Sequence, residues 1–456
     1  MTDSVLIVGG GVAGITVAQE CARAGAQAVL VERDAIVGGK LAAAMTQDSS
    51  VGDAIDGAAI PKLSVLAETG NIEILTLSEV RKVDGRPGNF TVDIRERARF
   101  VTDACSLCNH CRPVCPVVRP NEHDAGLSYR KAIYTPLPES LPQEFVIDID
   151  SCLNTPPNYL PCNRCTEVCD DDAIHFDVAL DRVHQRQVAA VVIATGLDYE
   201  EGSRERGYGS HPDVVTTAEM ERLLTAPGPT GGFAAKPSNE DYPNSILFIV
   251  DDLSPFALHT VVSQIERLVA QDIGRIAVLV TTSPGADERN ELQQRLPPGL
   301  TVNFGFLKLV EARADNRLTV TYADFSSSRI PEEQFDMVVL GAAARPAEGL
   351  EELVRICGCS LADDGYVALP VDDQPRASST PGVYVAGAAG GPSAIPNTLE
   401  EARAAAVAAL AHLDERLLRP DAAAAEQAQA IAKAVSQAEV RARFERALFA
   451  LLESGK

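Results

Sequence analysis

Short uninterrupted apolar runs punctuate this chain, each followed by a turn and then by residues at helical spacing. Residues 4–8 (SVLIV) open the pattern. A β-branched run without polar alternation suits a strand buried on both faces of a parallel sheet. Val12, Ile15, Ala18 and Ala22 then step by three or four, which predicts a helix that Gly25 closes. A second run, AVLVE, ends at Glu32. Residues 191–196 (VVIATG) and 382–388 (GVYVAGA) are further strands ending in turns, and residues 399–413 predict an alanine-faced helix. Between 244 and 344 the alternation repeats as the strand NSILFIV, the helix FALHTVVSQIERLVAQ, the strand RIAVLVT and a closing strand FDMVVLG. Such alternation predicts an α/β protein with parallel sheets. Beyond Pro420 the chain is alanine-rich, and Val440, Phe444 and Leu448, extended by Leu451, form one stripe of a C-terminal helical tail. That stripe packs on the same chain or on a second copy.

The first turn carries candidate chemistry. Gly9, Gly11 and Gly14 have G-x-G-x-x-G spacing between a strand and a helix, and the following strand ends in an acid, Glu32. This is the dinucleotide fingerprint. Gly9 permits the tight turn, Gly11 lets a pyrophosphate approach the backbone, and Gly14 packs helix on strand. The helix N-terminus around Val12 and Ala13 offers N–H groups to phosphate. Glu32 suits a ribose hydroxyl, with Arg33 beside it. The corresponding turn of the second α/β region reads Val250-Asp251-Asp252-Leu253-Ser254-Pro255. It has two carboxylates and no glycine, so NAD(P)H is not expected there.

Cysteines change the picture most. Eight of the 11 lie between Cys105 and Cys169. Cys105, Cys108, Cys111 and Cys115-Pro116 have the spacing of bacterial ferredoxins, in which the fourth cysteine ligates the other cluster. By that crossed pattern Cys105, Cys108, Cys111 and Cys169 hold one 4Fe–4S cluster. Cys115, Cys162 and Cys165 fall to a second set, with Cys152 as a displaced fourth member. For that set a second cluster, an empty site and plain packing stay open. Residues 172–177 read as a strand closing a ferredoxin half. Cys357 and Cys359 read as small buried residues before a strand, GYVAL.

Composition narrows the partners. The chain has 456 residues, 46% of them hydrophobic and 23% charged, as in ordinary globular proteins. Its net charge of −24 opposes binding to nucleic acid or anionic lipid. No apolar run approaches the ~18 residues of a membrane helix, and Asp3 stands where a signal peptide carries positive charge. No nucleic acid, no membrane insertion and a cytoplasmic location are expected.

The order of these features carries a resemblance. The fingerprint, Gly38-Gly39-Lys40-Leu41, the Ala194-Thr195-Gly196 turn and the Gly387-Ala388 turn are similar to the flavoprotein reductases of the thioredoxin-reductase type. With the cysteine insert, the glycine-less second turn and the stretch from Asn121-Glu122-His123-Asp124 to Arg130-Lys131-Ala132-Ile133-Tyr134, the chain resembles the A-type subunit of heterodisulfide reductase. It is similar in particular to the short form of sulfur-oxidising bacteria. The resemblance implies two Rossmann-like domains, one FAD-binding and one degenerate NAD-type, with an inserted ferredoxin-like α+β domain. The expected segments are 1–99, 184–243 and 345–418 for the FAD-binding domain, 100–183 for the insert, 244–344 for the degenerate domain and 419–456 for the tail. It further implies FAD on Gly9, Gly11, Val12, Ala13, Gly14, Glu32 and Arg33, with Val80 near the adenine. Gly39, Lys40 and Leu41 lie close to the flavin ring, and Ala194, Thr195 and Gly196 supply backbone contacts. Gly387 and Ala388 meet the ribityl–phosphate, where the family has Gly-Asp, and Asn397 and Thr398 open a helix aimed at the ring. The implied function is electron transfer between FAD and Fe–S clusters in a heterodisulfide-reductase-like (Hdr-like) complex of sulfur metabolism. Its partners are B- and C-type subunits, sulfur-carrier proteins and a second copy in a homodimer. The alternatives are an A-type subunit of a quinone-linked sulfate-respiration complex and a self-sufficient NAD(P)H-dependent Fe–S flavoprotein reductase. No proton-transferring catalytic residue is assigned.

Overall fold

A computed structural model describes residues 3–40, 54–55, 58–59, 66, 69–137, 140–199, 204–327, 329–341, 343–370 and 376–413. Leu41 and the C-terminal tail with Val440, Phe444, Leu448 and Leu451 lie outside these residues. β1 (Ser4–Val8) leads into α1 (Val12–Arg23) and β2 (Gln27–Val31), which lies parallel to β1 with Val5 opposite Ala28. β3 (Ile72–Leu75) extends the sheet beyond β2. β4 (Ser78–Arg86) and β5 (Asn89–Arg97) then form an antiparallel pair. After the cysteine-rich segment, β6 (Asp181–Val188) pairs with β5, and β7 (Ala190–Ile193) joins β1 in parallel.

The insert therefore stands at the tip of a β5–β6 ribbon. Asp181, Arg182 and Val183 are already paired with Arg97, Glu96 and Arg95. The predicted boundary at 183 moves back to about Leu180, because the strand register runs on to Asp181. Within the insert, α2 (Cys111–Val114) and α3 (Arg164–Glu167) are single turns around a core of Phe100, Val101, Ala132, Ile133, Phe145, Ile147, Ile174 and four cysteines. Residues 172–177 form no strand; Ile174 makes one isolated bridge to Val101.

The second sheet has seven strands and begins earlier in the chain than its sequence pattern indicates. β8 (Val214–Thr216), expected within the FAD-type domain, is the sheet's edge strand, paired with β14. α4 (Thr217–Leu223) follows it through a capping box of Thr216 and Glu219. Three residues of strand carry too little periodicity to be read from sequence. β9 (Ser245–Val250), α5 (Pro255–Ala270), β10 (Arg275–Val280) and β11 (Thr301–Ala312) continue the parallel part. β12 (Leu318–Asp324) and β13 (Glu332–Phe335) add an antiparallel edge, and β14 (Met337–Leu340) returns to lie between β8 and β9.

α6 (Leu350–Cys357) leads back toward the first sheet. GYVAL forms no strand, and Val367 makes one bridge to Leu361. β15 (Val383–Val385) completes the first sheet in the order β15-β7-β1-β2-β3, and α7 (Ile395–Leu410) packs on α1. One face of this sheet meets α1 and the alanines of α7 (Ala402, Ala405, Ala406, Ala409). The other face meets Phe90, Val92, Ile94 and Val188 of the ribbon. Burial on both faces explains why these strands are apolar throughout.

Candidate functional site

The glycine turn is built by steric exclusion. Gly9 has φ +112°, and a Cβ there would stand 2.3 Å from the Ala194 carbonyl oxygen. A Cβ on Gly14 would stand 1.8 Å from the Gly9 carbonyl oxygen. Both positions are closed by the protein itself. Gly11 differs, because no protein atom lies within 4 Å of where its Cβ would be. The protein leaves that backbone bare, as a close ligand requires. Gly39, at φ +57°, stacks over Gly11, with a Cβ 3.0 Å from the Gly11 Cα. Glu32 accepts from Gly10 N at 2.6 Å and from Asp34 N at 2.9 Å. Burial raises its carboxyl to about 7, assisted by the neighbouring Asp34 charge. Val80 is buried in β4, close after Ser78, whose N–H donates to Glu32 O at 2.8 Å.

The opposite wall comes from three other segments. Ala194 is buried, the Thr195 hydroxyl oxygen is buried without a partner, and Gly196 turns at φ +72° into open space. Gly387, at φ +60°, fits between Ala13 and Thr398, whose carbons would lie 2.8 and 3.0 Å from a Cβ. That contact brings the N-terminal ends of α1 and α7 together beside Ala388. Asn397 and Thr398 sit one turn into α7, which starts at Ile395, and Asn397 is exposed. Val12 O accepts from the Thr16 hydroxyl at 2.8 Å. An orphaned hydroxyl, a bare glycine and two helix ends facing one place fit a dinucleotide.

Two of the expected cofactor contacts, Lys40 and Arg33, have protein partners. Lys40 Nζ donates to Asp198 Oδ1 at 2.9 Å and lies 5.3 Å from the Tyr199 ring centroid. Arg33 donates to Glu348 O at 3.0 Å, and Glu348 N donates back to Asp198 Oδ2 at 2.8 Å. Both side chains bind the link between the domains. Sequence reasoning missed Arg376, which donates to the Val385 and Gly387 carbonyls at 3.0 Å and pairs with Glu401 at 3.3 Å. It supports the Gly387 turn from behind. No spacing signal marks it.

The eight cysteines fall into two groups. Cys105, Cys108, Cys111 and Cys169 line one cavity; Cys115, Cys152, Cys162 and Cys165 line a second. Electrostatics groups them the same way, since Cys111 feels Cys105, Cys108 and Cys169, while Cys152 feels Cys115 and Cys162. Donors point at the sulfurs. Ala173 N–H donates to Cys169 Sγ at 3.4 Å, the Leu107 and Asn154 N–H groups serve Cys105 and Cys152, and the Thr155 hydroxyl donates to the Ile149 and Cys152 carbonyls at 2.6 and 3.1 Å. Burial pushes the Cys111 thiol up to about 11. Among the described residues no group of three His, Cys, Asp or Glu could hold a single metal ion. Thiols placed around a cavity, with N–H donors to sulfur, fit a polynuclear cluster.

The second domain's turn binds its own helix end, and only Asp251 Oδ1 in it is buried without a hydrogen-bond partner among the described residues. Asp251 pairs with Arg206. Asp252 accepts from Ser254 N and Oγ at 2.8 and 2.9 Å, and Ser254 caps Ala257 N at 3.3 Å. The N-terminus of α5 thus carries its own carboxylates where pyrophosphate would need free N–H groups. The insert is fastened to this domain. Arg222 of α4 donates to Asp124 at 2.8 Å and 3.2 Å, and both residues are buried. Asp124 also accepts from Asn121 at 2.8 Å and from Ser128. Asn121–Asp124 stands out in the sequence through the family resemblance alone, and nothing in the sequence marks Arg222.

Residues 4–59 match the FAD dependent oxidoreductase family model. The chain is 31% identical over 444 residues to the A-type subunit of H(2):CoB-CoM heterodisulfide,ferredoxin reductase from Methanothermobacter thermautotrophicus, covering 89% of this chain and 63% of that protein. It is 31% identical to the A-type iron-sulfur subunit of CoB--CoM heterodisulfide reductase from Methanocaldococcus jannaschii, with 89% and 63% covered. It is also 30% identical to a protein of Archaeoglobus profundus that is itself described as like the A-type subunit of heterodisulfide reductase, with 90% and 66% covered. The chain thus spans under two thirds of these relatives' length. Among solved structures, T. acidophilum thioredoxin reductase aligns with a TM-score of 0.46 at 15% identity, covering 89% of this chain and 97% of that one.

Proposed function

The chain is a homologue of the A-type subunit of heterodisulfide reductase over nine tenths of its length, and on that basis we propose that it is an electron-transferring FAD and Fe–S subunit of a heterodisulfide-reductase-like complex. The carrying observation is the division of eight cysteines between two cavities in an insert rooted on the glycine-turn domain. FAD exchanges electrons singly or in pairs and a 4Fe–4S cluster exchanges them one at a time, so one chain holding both joins two-electron to one-electron chemistry.

Gly9, Gly11, Gly14 and Glu32 would hold the ADP half of FAD, with Val80 at the adenine. Gly39, Ala194, Thr195, Gly196, Gly387, Ala388 and the start of α7 would enclose the rest. Lys40, drawn to Asp198, would orient the linker at the flavin side. Cys105, Cys108, Cys111 and Cys169 would hold one cluster, and Cys115, Cys152, Cys162 and Cys165 a second. The self-capped Asp252–Ser254 turn supports a chain without its own NAD(P)H site. Its electrons would then come and go through other subunits, of B and C type, with sulfane or disulfide sulfur carried on a partner protein as the substrate. Homodimer formation and a cytoplasmic location belong to the same reading.

Iron, acid-labile sulfide and FAD per chain on anaerobically purified protein test it. About eight Fe and one FAD per chain are expected for two 4Fe–4S clusters. About four Fe would restrict the reading to the first set, and negligible FAD or iron would overturn it.

A further inference from the structure

At the root of the insert the β5–β6 ribbon opens. Ala98 N donates to Leu180 O at 2.8 Å, and His175 N donates to Phe100 O at 2.9 Å. Between these two ties the segment 176–179 is not part of the ladder, Phe176 lies against Phe100 with ring centroids 5.7 Å apart, and a cavity of about 180 Å³ remains. That volume admits several water-sized groups. Its lining includes Arg97, Arg99, Arg182 and His175, and Glu96 is the one carboxylate among the lining residues.

Cationic donors are left over here. Glu96 is engaged by His184 Nε2 at 2.7 Å. Arg97 has Asp150 at 3.6 Å, outside hydrogen-bond reach. Arg99 uses Nη2 on Ala35 O and Thr76 Oγ1, both at 2.7 Å, and pairs through Nε with Glu144 at 3.3 Å, while its Nη1 is buried without a partner. Arg182 and His175 make no side-chain hydrogen bond or ion pair among the described residues. Arg182, the loosely held Arg97 and the orphaned Arg99 Nη1 thus leave guanidinium donors unused inside a concave site, in a chain of net charge −24.

We propose that this cavity binds a small tetrahedral oxyanion, a sulfur oxyanion or a phosphate, between the two arms that carry the insert. Guanidinium groups present paired N–H donors that match such anions. Arg99 also bonds to loops of the glycine-turn domain at Ala35 and Thr76, so the bound anion joins that domain to both arms of the insert. Occupancy then stiffens the connection on which the separation of the two redox centres depends. The site itself does not rest on the redox reading.

Calorimetric titration of the full-length holoprotein with sulfate, thiosulfate and inorganic phosphate, at constant ionic strength in sodium chloride, tests the proposal. Saturable binding of at least one anion is expected, weakened about tenfold or more in Arg182→Gln and in His175→Gln, the loss of one charge-assisted hydrogen bond. Preference for sulfate or thiosulfate over phosphate, or the reverse, identifies the source of the anion. Arg182 is exposed on the ribbon, so its variant leaves the core intact. Absence of saturable binding by all three anions, or binding unchanged in both variants, overturns the site.

Discussion

Replacing Gly11 by alanine adds a methyl group at φ −77° and ψ −174°, an extended conformation open to any residue. No protein atom lies within 4 Å of that methyl. Gly11 is the N-cap of α1, and alanine is a poorer cap than glycine by about 1 kcal/mol or less. Restriction of the unfolded chain returns about 0.4–1 kcal/mol. The two terms nearly cancel, so the protein without cofactor should keep its melting temperature. Gly14→Ala is the opposite case. Its methyl would stand 1.8 Å from the Gly9 carbonyl oxygen, which belongs to backbone tied to Val31 O by a 2.8 Å hydrogen bond. Forced repacking of that kind costs about 1–3 kcal/mol or more, or roughly 4–8 °C of melting temperature at about 2 kcal/mol. FAD should respond in another order. The Gly11 methyl occupies the space where pyrophosphate approaches the backbone, and about 1–3 kcal/mol lost there lowers FAD affinity roughly 5- to 150-fold. Thermal melts of the three proteins stripped of cofactor, with FAD titrations beside them, measure both effects. Wild-type FAD affinity in Gly11→Ala would refute the assignment of the bare turn to the cofactor. An unchanged melting temperature in Gly14→Ala would refute the packing argument.

Asp124→Asn removes the carboxylate that the buried Arg222 guanidinium meets at 2.8 Å, and opening a buried pair from one side costs up to about 3–5 kcal/mol; faster hydrogen exchange across residues 121–128 and α4 is expected, and unchanged exchange would contradict the clamp. Glu32 gives a pH signature. Its folded carboxyl lies at about 7, above the usual 4.5, chiefly through burial. The stability this gives is present below about 4.5 and is lost as pH rises through about 7. Glu32→Gln should therefore gain melting temperature over the wild type, both without cofactor, as pH rises across that window; a pH-independent difference counts against it. Removal of iron by a chelator should loosen the insert first, since Cys111, Cys115, Cys152 and Cys165 are part of its core. Limited proteolysis is then expected to cut within 100–180 before the first sheet, and cleavage of the sheet first would contradict this.

Local features were legible in the chain. The strand at 4–8, the glycine turn, α1, the strands at 245–250 and 275–280 and α5 each rest on a pattern within a few residues, where chain geometry dictates which side chains share a face. The same holds for Gly14, whose small size answers to the turn itself, whereas Gly9 answers also to Ala194 on a distant strand. Packing between distant segments settled the rest. Val214–Thr216 became an edge strand because β14 offered it a partner more than 100 residues away in sequence. GYVAL found no such partner and stayed irregular. Lys40 lies against Asp198, Arg376 behind Gly387, and Arg222 on Asp124, pairs whose members have no sequence relation. Cysteine spacing already groups Cys169 with Cys105 through the crossed pattern, whereas the placing of the displaced Cys152 beside Cys165 needs the folded insert. The physical reason is range. Backbone sterics and side-chain periodicity act over a few residues, while a charge pair or a shared cavity depends on which surfaces the packed sheets bring together.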